Sequence, residues 1–170
     1  MPATYDCIAT TTLGSTASSI TFSSIPSTFT DLVIIFSGQN STSSNADVTM
    51  VLNNDTSAAY SRMRLYSNGT TVSADRAINA TSAEAVAYIG GSATSSMFAS
   101  TQINILSYAN TSVNKTWLLH WNSNGTSDAY SLMGIGLYRS LSAITQIQFY
   151  PVSGNFVAGT TATIYGIKAA

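Results

Sequence analysis

Apolar and polar residues alternate with a period of two through most of this 170-residue chain, and Gly, Asn and Ser cut the runs at short intervals. Alternation of this kind gives a β-strand one inward and one outward face, and it cannot form the 3.6-residue stripe of an amphipathic helix. Residues 46–53 place Val48, Met50 and Leu52 on one side and Asp47, Thr49 and Asn53 on the other. In 59–66, Ser61, Met63 and Leu65 alternate with Tyr60, Arg62, Arg64 and Tyr66. Further runs at 5–12, 18–23, 97–108, 113–122, 128–139, 144–150 and 161–168 read as strands. Residues 31–37 are apolar on both sides, which predicts a central strand covered on each face. Asn68–Gly69 and Asn124–Gly125 are hairpin turn dipeptides, Pro26 marks a turn, and Pro151 closes a strand. Residues 81–89 read two ways. Thr81-Ser82-Ala83-Glu84 fits a capping box before a short helix stopped at Gly90–Gly91, and the same residues alternate well enough for a strand. About ten strands predict an all-β fold, an antiparallel β-sandwich of jelly-roll type. No linker, repeat or charge run divides the chain, so residues 1–170 read as one domain.

Composition narrows the function. Charged residues make up 8% of the chain, against ~25% in an ordinary soluble domain, and the net charge is −1. A nucleic-acid binder needs a basic surplus to neutralise phosphates, and six basic residues face seven acidic ones. The 27 serines and 23 threonines coat the chain with hydroxyls, yet 45% of it is hydrophobic, enough for a core. Cys7 is the only cysteine and so makes no internal disulfide. No apolar run approaches the ~20 residues of a membrane helix, and no membrane partner is expected. Asn-x-Ser/Thr triplets start at Asn40, Asn54, Asn68, Asn79, Asn110, Asn114 and Asn124. Without a secretion signal they read as turn chemistry.

Residues that could carry catalysis are scarce. The only histidine, His120, lies in Trp117-Leu118-Leu119-His120-Trp121, where a packed or hydrogen-bonded structural role is expected. No Gly-x-Ser-x-Gly elbow accompanies it. Cys7 has no helix start to lower its pKa, which argues against a Cys7–His120 dyad. Asn53-Asn54-Asp55 offers three oxygen-bearing side chains, too few for calcium, and reads as a polar turn. Gly134-x-Gly136 and Gly90–Gly91 match no phosphate-cradling loop. No catalytic residue, metal site or cofactor is expected, and the chain does not read as an enzyme. Trp117, Leu119 and Trp121 share a side and read as core. Tyr60, Arg62, Arg64 and Tyr66 also share a side, expected to face outward: either paired with Asp75 or Asp47, or free to hold a carboxylate, a glycan or another subunit.

Both ends of the chain carry a resemblance. Thr4-Tyr5-Asp6-Cys7-Ile8-Ala9-Thr10-Thr11-Thr12-Leu13-Gly14-Ser15, with Ile20-Thr21-Phe22-Ser23-Ser24-Ile25-Pro26 and Phe29-Thr30-Asp31-Leu32-Val33, resembles small virion structural proteins of tailed bacteriophages, cyanophages among them. Arg64-Leu65-Tyr66-x-x-Gly69, Ala158-Gly159-Thr160 and Ile164-Tyr165-Gly166-Ile167 are similar too. The resemblance implies a β-sandwich or jelly roll that serves as a capsid decoration (cement) protein or a tail-fibre domain. The first strand begins by Tyr5 with no heptads or repeats before it, which favours decoration of the capsid surface. The partners expected are a homo-oligomer, a trimer, with Tyr60, Arg62, Arg64 and Tyr66 as contacts, and the major capsid protein. The alternative is a tail-fibre receptor module that recognises a host surface glycan.

Overall fold

The structure, a computed structural model, describes residues 4–91, 97–124 and 129–168. It has twelve strands: β1 (Tyr5–Thr12), β2 (Ile20–Phe22), β3 (Asp31–Gly38), β4 (Ala46–Leu52), β5 (Tyr60–Ser67), β6 (Val72–Ala80), β7 (Ala83–Ile89), β8 (Ala99–Leu106), β9 (Lys115–Asn124), β10 (Ala129–Tyr138), β11 (Ile147–Pro151) and β12 (Thr161–Ile167). All pair antiparallel, and no helix occurs among the described residues.

Eight of the strands form two sets of four, β1-β12-β3-β8 and β2-β11-β4-β7. Early strands pair with late ones in nested order: β1 with β12, β2 with β11, β3 with β8, β4 with β7. This nesting is the connectivity of a jelly roll. The other four strands are two hairpins inserted into the roll, β5–β6 between β4 and β7, and β9–β10 between β8 and β11. They prolong the first set past β8 in the order β9-β10-β5-β6. One sheet therefore has eight strands and the other four.

The two strands beyond the expected ten are β6 and β7. In β6, VSADRAINA, charged and small residues break the apolar alternation, so the strand signal is weak. It forms because Asn68–Gly69 turns the chain back on β5. Gly69 adopts φ +89°, and Asn68 Oδ1 accepts from Thr70 N at 3.1 Å and Thr71 N at 2.8 Å. Residues 81–89 resolve as strand: β7 borders the small sheet beside β4, with Ala85 at φ +53° near an irregularity in the pairing. Glu84 caps no helix and instead reaches Arg62 at 3.3 Å. Gly125 lies outside the described residues, but β9 and β10 pair in register up to Asn124 and Ala129.

One core fills the space between the sheets. Leu32, Ile34 and Phe36 of β3 meet Val48, Met50 and Leu52 of β4 and Ile147 and Phe149 of β11 in a single cluster. The Phe36 ring packs 5.8 Å from Phe149 and 5.5 Å from Phe156. Trp117, Leu119 and Trp121 face this core as expected. On its other face β3 is covered only in part, because Val33 is buried but Ile35 is 41% exposed. Lys115, at the foot of β9, is fully buried; its Nζ donates to the carbonyls of Asn110 and of Val113, the latter at 2.8 Å.

The Gly134-x-Gly136 spacing has a packing role. Gly136 pairs with Trp117 and Gly134 with Leu119 across β10 and β9. A Cβ on Gly136 would lie 2.0 Å from the Trp117 ring, and one on Gly134 would lie 3.2 Å from Leu119. Trp117 is 1% exposed and has nowhere to retreat. Gly136→Ala should therefore lower stability by ~1–3 kcal/mol, the usual cost of overpacking a core. Gly14→Ala, where nothing lies within 4 Å of the added atom, should leave the melting temperature nearly unchanged. Thermal denaturation of both variants checks this.

Candidate functional site

The strand β5 presents both of the chain's notable surfaces, one on each face. Its Tyr60, Arg62, Arg64 and Tyr66 side faces inward, toward the layer that contains β7, and Ser61, Met63 and Leu65 face the opposite way. This corrects the expectation of an outward Tyr/Arg row. Alternation separates two sides of a strand without saying which lies inside, and here counter-charges from neighbouring strands settle it.

Arg64 donates from Nε to both carboxylate oxygens of Asp75 on β6, at 2.8 and 2.9 Å, and from Nη2 to Oδ2 at 2.8 Å. Arg62 also donates to Asp75 and reaches Glu84 of β7 at 3.3 Å. Asp47 of β4 stands 3.9 Å from Arg64 Nη1. Both arginines are mostly buried, at 15% and 17% side-chain exposure. Two of six basic and three of seven acidic residues thus meet in one network. The expected pairing with Asp75 and Asp47 holds; the outward setting does not.

Tyr60 leaves the candidate row altogether. It is 1% exposed, stacks on Tyr138 at 4.8 Å between centroids, and donates its hydroxyl to Asp55 O at 2.9 Å. Burial pushes its phenol far above the ordinary range. Tyr60 is a core residue.

Beside the network, at the β7 border, Tyr66, Tyr88, Tyr130 and Leu132 join Asp47 and Arg64 around a pocket of about 170 Å³ floored by Trp121. Tyr88 stacks on Trp121 at 5.7 Å and meets Tyr130 edge-on at 5.3 Å. The Arg64 guanidinium lies 5.5 Å from the Tyr66 ring centroid. Sequence reading missed Tyr88 and Tyr130 because their strands sit far apart in the chain, and only the two inserted hairpins bring them beside β5.

The opposite face of the large sheet divides in two. Over β1, β12, β3 and β8 it carries mainly hydroxyls and amides, with Ile35 and Leu106 among them. Thr10 pairs with Thr163 across strands at 3.1 Å and Thr12 with Thr161 at 2.9 Å, while Gln102 donates to Asn104 along β8 at 3.4 Å. Over β9, β10, β5 and β6 the exposed large apolar side chains are Leu118, Met133, Ile135, Met63, Leu65, Val72 and Ile78. Register aligns Leu118, Ile135, Met63 and Arg76 in one row across the strands, and His120, Met133, Leu65 and Ala74 in the next.

The other residues with chemical potential are kept apart. His120 is exposed on this outer face, not packed as expected. Cys7 is exposed on β1, four strand spacings from β9 or ~19 Å at ~4.8 Å each, too far for a dyad. Asn53-Asn54-Asp55 is the expected polar turn. Asn53 and Asn54 adopt φ +53° and +56°, Asn53 Oδ1 accepts from Thr145 N at 2.8 Å, and Asp55 accepts from Ser57 N and from the Tyr138 hydroxyl, each at 2.8 Å.

No family model and no curated protein matches this sequence.

The network makes a pH prediction with two signs. Hydrogen bonds from Arg64 and then Arg62 hold the Asp75 carboxyl below its usual range. Its stabilisation is present above the unfolded carboxylate value near 3.8 and is lost as pH falls through the lower folded value. Burial raises Asp47 above 3.8, only partly offset by the arginines. Asp47 therefore costs stability at neutral pH, and that cost is relieved as pH falls through its raised value. Urea titrations should find Asp75→Asn less stable than the parent at pH 7, by about 1–2 kcal/mol, with the gap narrowing toward pH 3. Asp47→Asn should match or exceed the parent at pH 7, and lose that advantage in acid.

Proposed function

We propose that this chain is a bacteriophage virion structural protein, a capsid decoration protein that adds to a shell by non-covalent contact. The observation that carries the reading is the divided outer face of the large sheet. Monomeric proteins rarely leave a contiguous apolar patch larger than ~300–600 Å² in water, and seven exposed apolar side chains on four adjacent strands reach that size. Such a face belongs in an assembly. A chain with only 8% charged residues adds little electrostatic repulsion between copies, and the likeness of both chain ends to small virion proteins points to the shell. The jelly roll supports the same reading, since viral capsid domains use that architecture.

A second reading rests on the pocket beside β7. Partly exposed Tyr66, Tyr88 and Tyr130 offer ring surfaces against which the C–H face of a sugar packs. Asp47 and Arg64 Nη1, 3.9 Å apart, leave room for a hydroxyl to accept from one and donate to the other. This arrangement suits a tail-borne receptor module that holds a host glycan.

Co-sedimentation with shells assembled from the cognate major capsid protein separates the two. Decoration predicts saturable binding and shells that survive to higher temperature with the protein bound. Failure to bind shells, together with selective retention on a glycan array that is lost in Arg64→Ala, would favour the receptor reading.

A further inference from the structure

We propose that the apolar outer face of β9, β10, β5 and β6 is covered by the same face of a second copy of this chain, around a two-fold axis that runs along β10. This rests on the assembly reading above and names the occupant of that face.

Area comes first. The seven apolar side chains are each 48–67% exposed, and at on the order of 100 Å² apiece they make a patch of roughly 700 Å², close to the ~800 Å² per partner of an ordinary stable interface. The patch is also one continuous surface. A ring of three needs two different complementary patches on each copy, whereas a single patch that meets itself closes by a two-fold axis. The pairing is therefore a dimer, in place of the trimer that the phage resemblance implied.

The polar groups at the ends of the rows select the axis. Counting outward from β8, the strands run β8, β9, β10, β5, β6, with β10 in the middle. Rotation about an axis along β10 lays β9 over the partner's β5 and β8 over the partner's β6. The five apolar side chains of β9, β10 and β5 thereby meet about the axis, while Val72 and Ile78 lie over the partner's Ser100 and the partner's Leu106. Leu118 then meets the partner's Met63, and Ile135 meets the partner's Ile135. Arg76, at the β6 end of the row, falls over the partner's Asn104, whose side-chain carbonyl can accept from it. Rotation about an axis that crosses the strands along this row would instead press Arg76 against the partner's Arg76 and leave both charges unpaired, a repulsive contact. Two twisted sheets packed in this way lie ~10 Å apart with their strands within ~30° of parallel, the ordinary geometry of a sandwich. The dimer thus gives the outer face of β9, β10, β5 and β6 a second layer, on the side away from the four-stranded sheet.

Light scattering on the purified chain tests the pairing. The expected mass is that of two copies. Ile135→Glu puts two carboxylates together at the axis, so the mass should fall two-fold and the dissociation constant should rise by more than ~30-fold, the loss of a central hot spot. Thr163→Glu, on the hydroxyl half of the same face, should remain a dimer. Circular dichroism confirms that each variant is folded. Cross-linking gives a readout that needs no disruptive change: in a Cys7→Ser background, Ile135→Cys should join into dimers with a short bis-maleimide, and Thr163→Cys should not. A wild-type monomer at 100 µM-range concentration (~100 µM is ample for an interface of this size) with no Ile135→Cys cross-link would overturn the pairing, as would a mass of three copies. A monomer whose Ile135→Glu variant stops binding shells would overturn the second copy as occupant and leave the assembly reading standing. A dimer that never binds shells would do the reverse.

Discussion

Four strands at ~4.8 Å spacing cover about half the width of an eight-stranded sheet, and the rest of this molecule follows from that mismatch. The jelly-roll half of the large sheet, β1-β12-β3-β8, has the small sheet above it and a dense core between them. The other half continues past the border strand β7 with both faces in need of cover. On the inner side, the cover is partly electrostatic. Arg62 and Arg64 would be costly to bury alone, but Asp75 from the same sheet and Asp47 and Glu84 from the facing one offset that cost. On the outer side nothing in the chain covers Leu118, Met133, Ile135, Met63 and Leu65 among the described residues.

The local β character of this fold was readable from the sequence, and its layering was not. Alternation in 46–53 and 113–122 places Val48, Met50, Leu52, Trp117, Leu119 and Trp121 in the core, because those strands carry their large apolar side chains on one side only. The same rule misassigns β5. There the outward side carries Met63 and Leu65 and the inward side carries two arginines, so polarity alone points the wrong way. What reverses it is long-range: Asp75 from the next strand, Asp47 and Glu84 from the facing sheet, and a strip of glycine on β10 that lets Trp117 and Leu119 fill the space alongside. The helix-like features of residues 81–89 were likewise local, and pairing with β4 overrode them. Tyr88 and Tyr130 became site residues only through the insertion of the two hairpins, which no window along the chain reports.

Both surfaces of the extension bear on function. The inner one holds a charge network with an aromatic pocket at its end, a place where a polyhydroxyl ligand could be gripped. The outer one is larger and chemically plainer, and it contrasts with the threonine- and amide-rich half of the same sheet, the division on which the proposed contact rests. A decoration protein needs such a division: one region at ease in water and one that gains by being covered. The low charge of the chain fits the same account, because five of its thirteen charged residues meet at the β7 border and Arg76 stands at the β6 edge of the outer face rather than in its middle.

The central claim is that the outer face of β9, β10, β5 and β6 is covered in the working assembly, and the two methionines on it report that directly. Met63 and Met133 are 56% and 63% exposed in the single chain, and Met97, away from the face, is 39% exposed. Dilute peroxide converts accessible methionine to the sulfoxide, and peptide mass spectrometry reads each site separately. The account predicts that in the concentrated or shell-bound protein Met63 and Met133 oxidise more slowly than Met97, and that dilution to the single chain reverses the order. Oxidation of Met63 and Met133 faster than Met97 at every concentration, and on the shell as well, would contradict it.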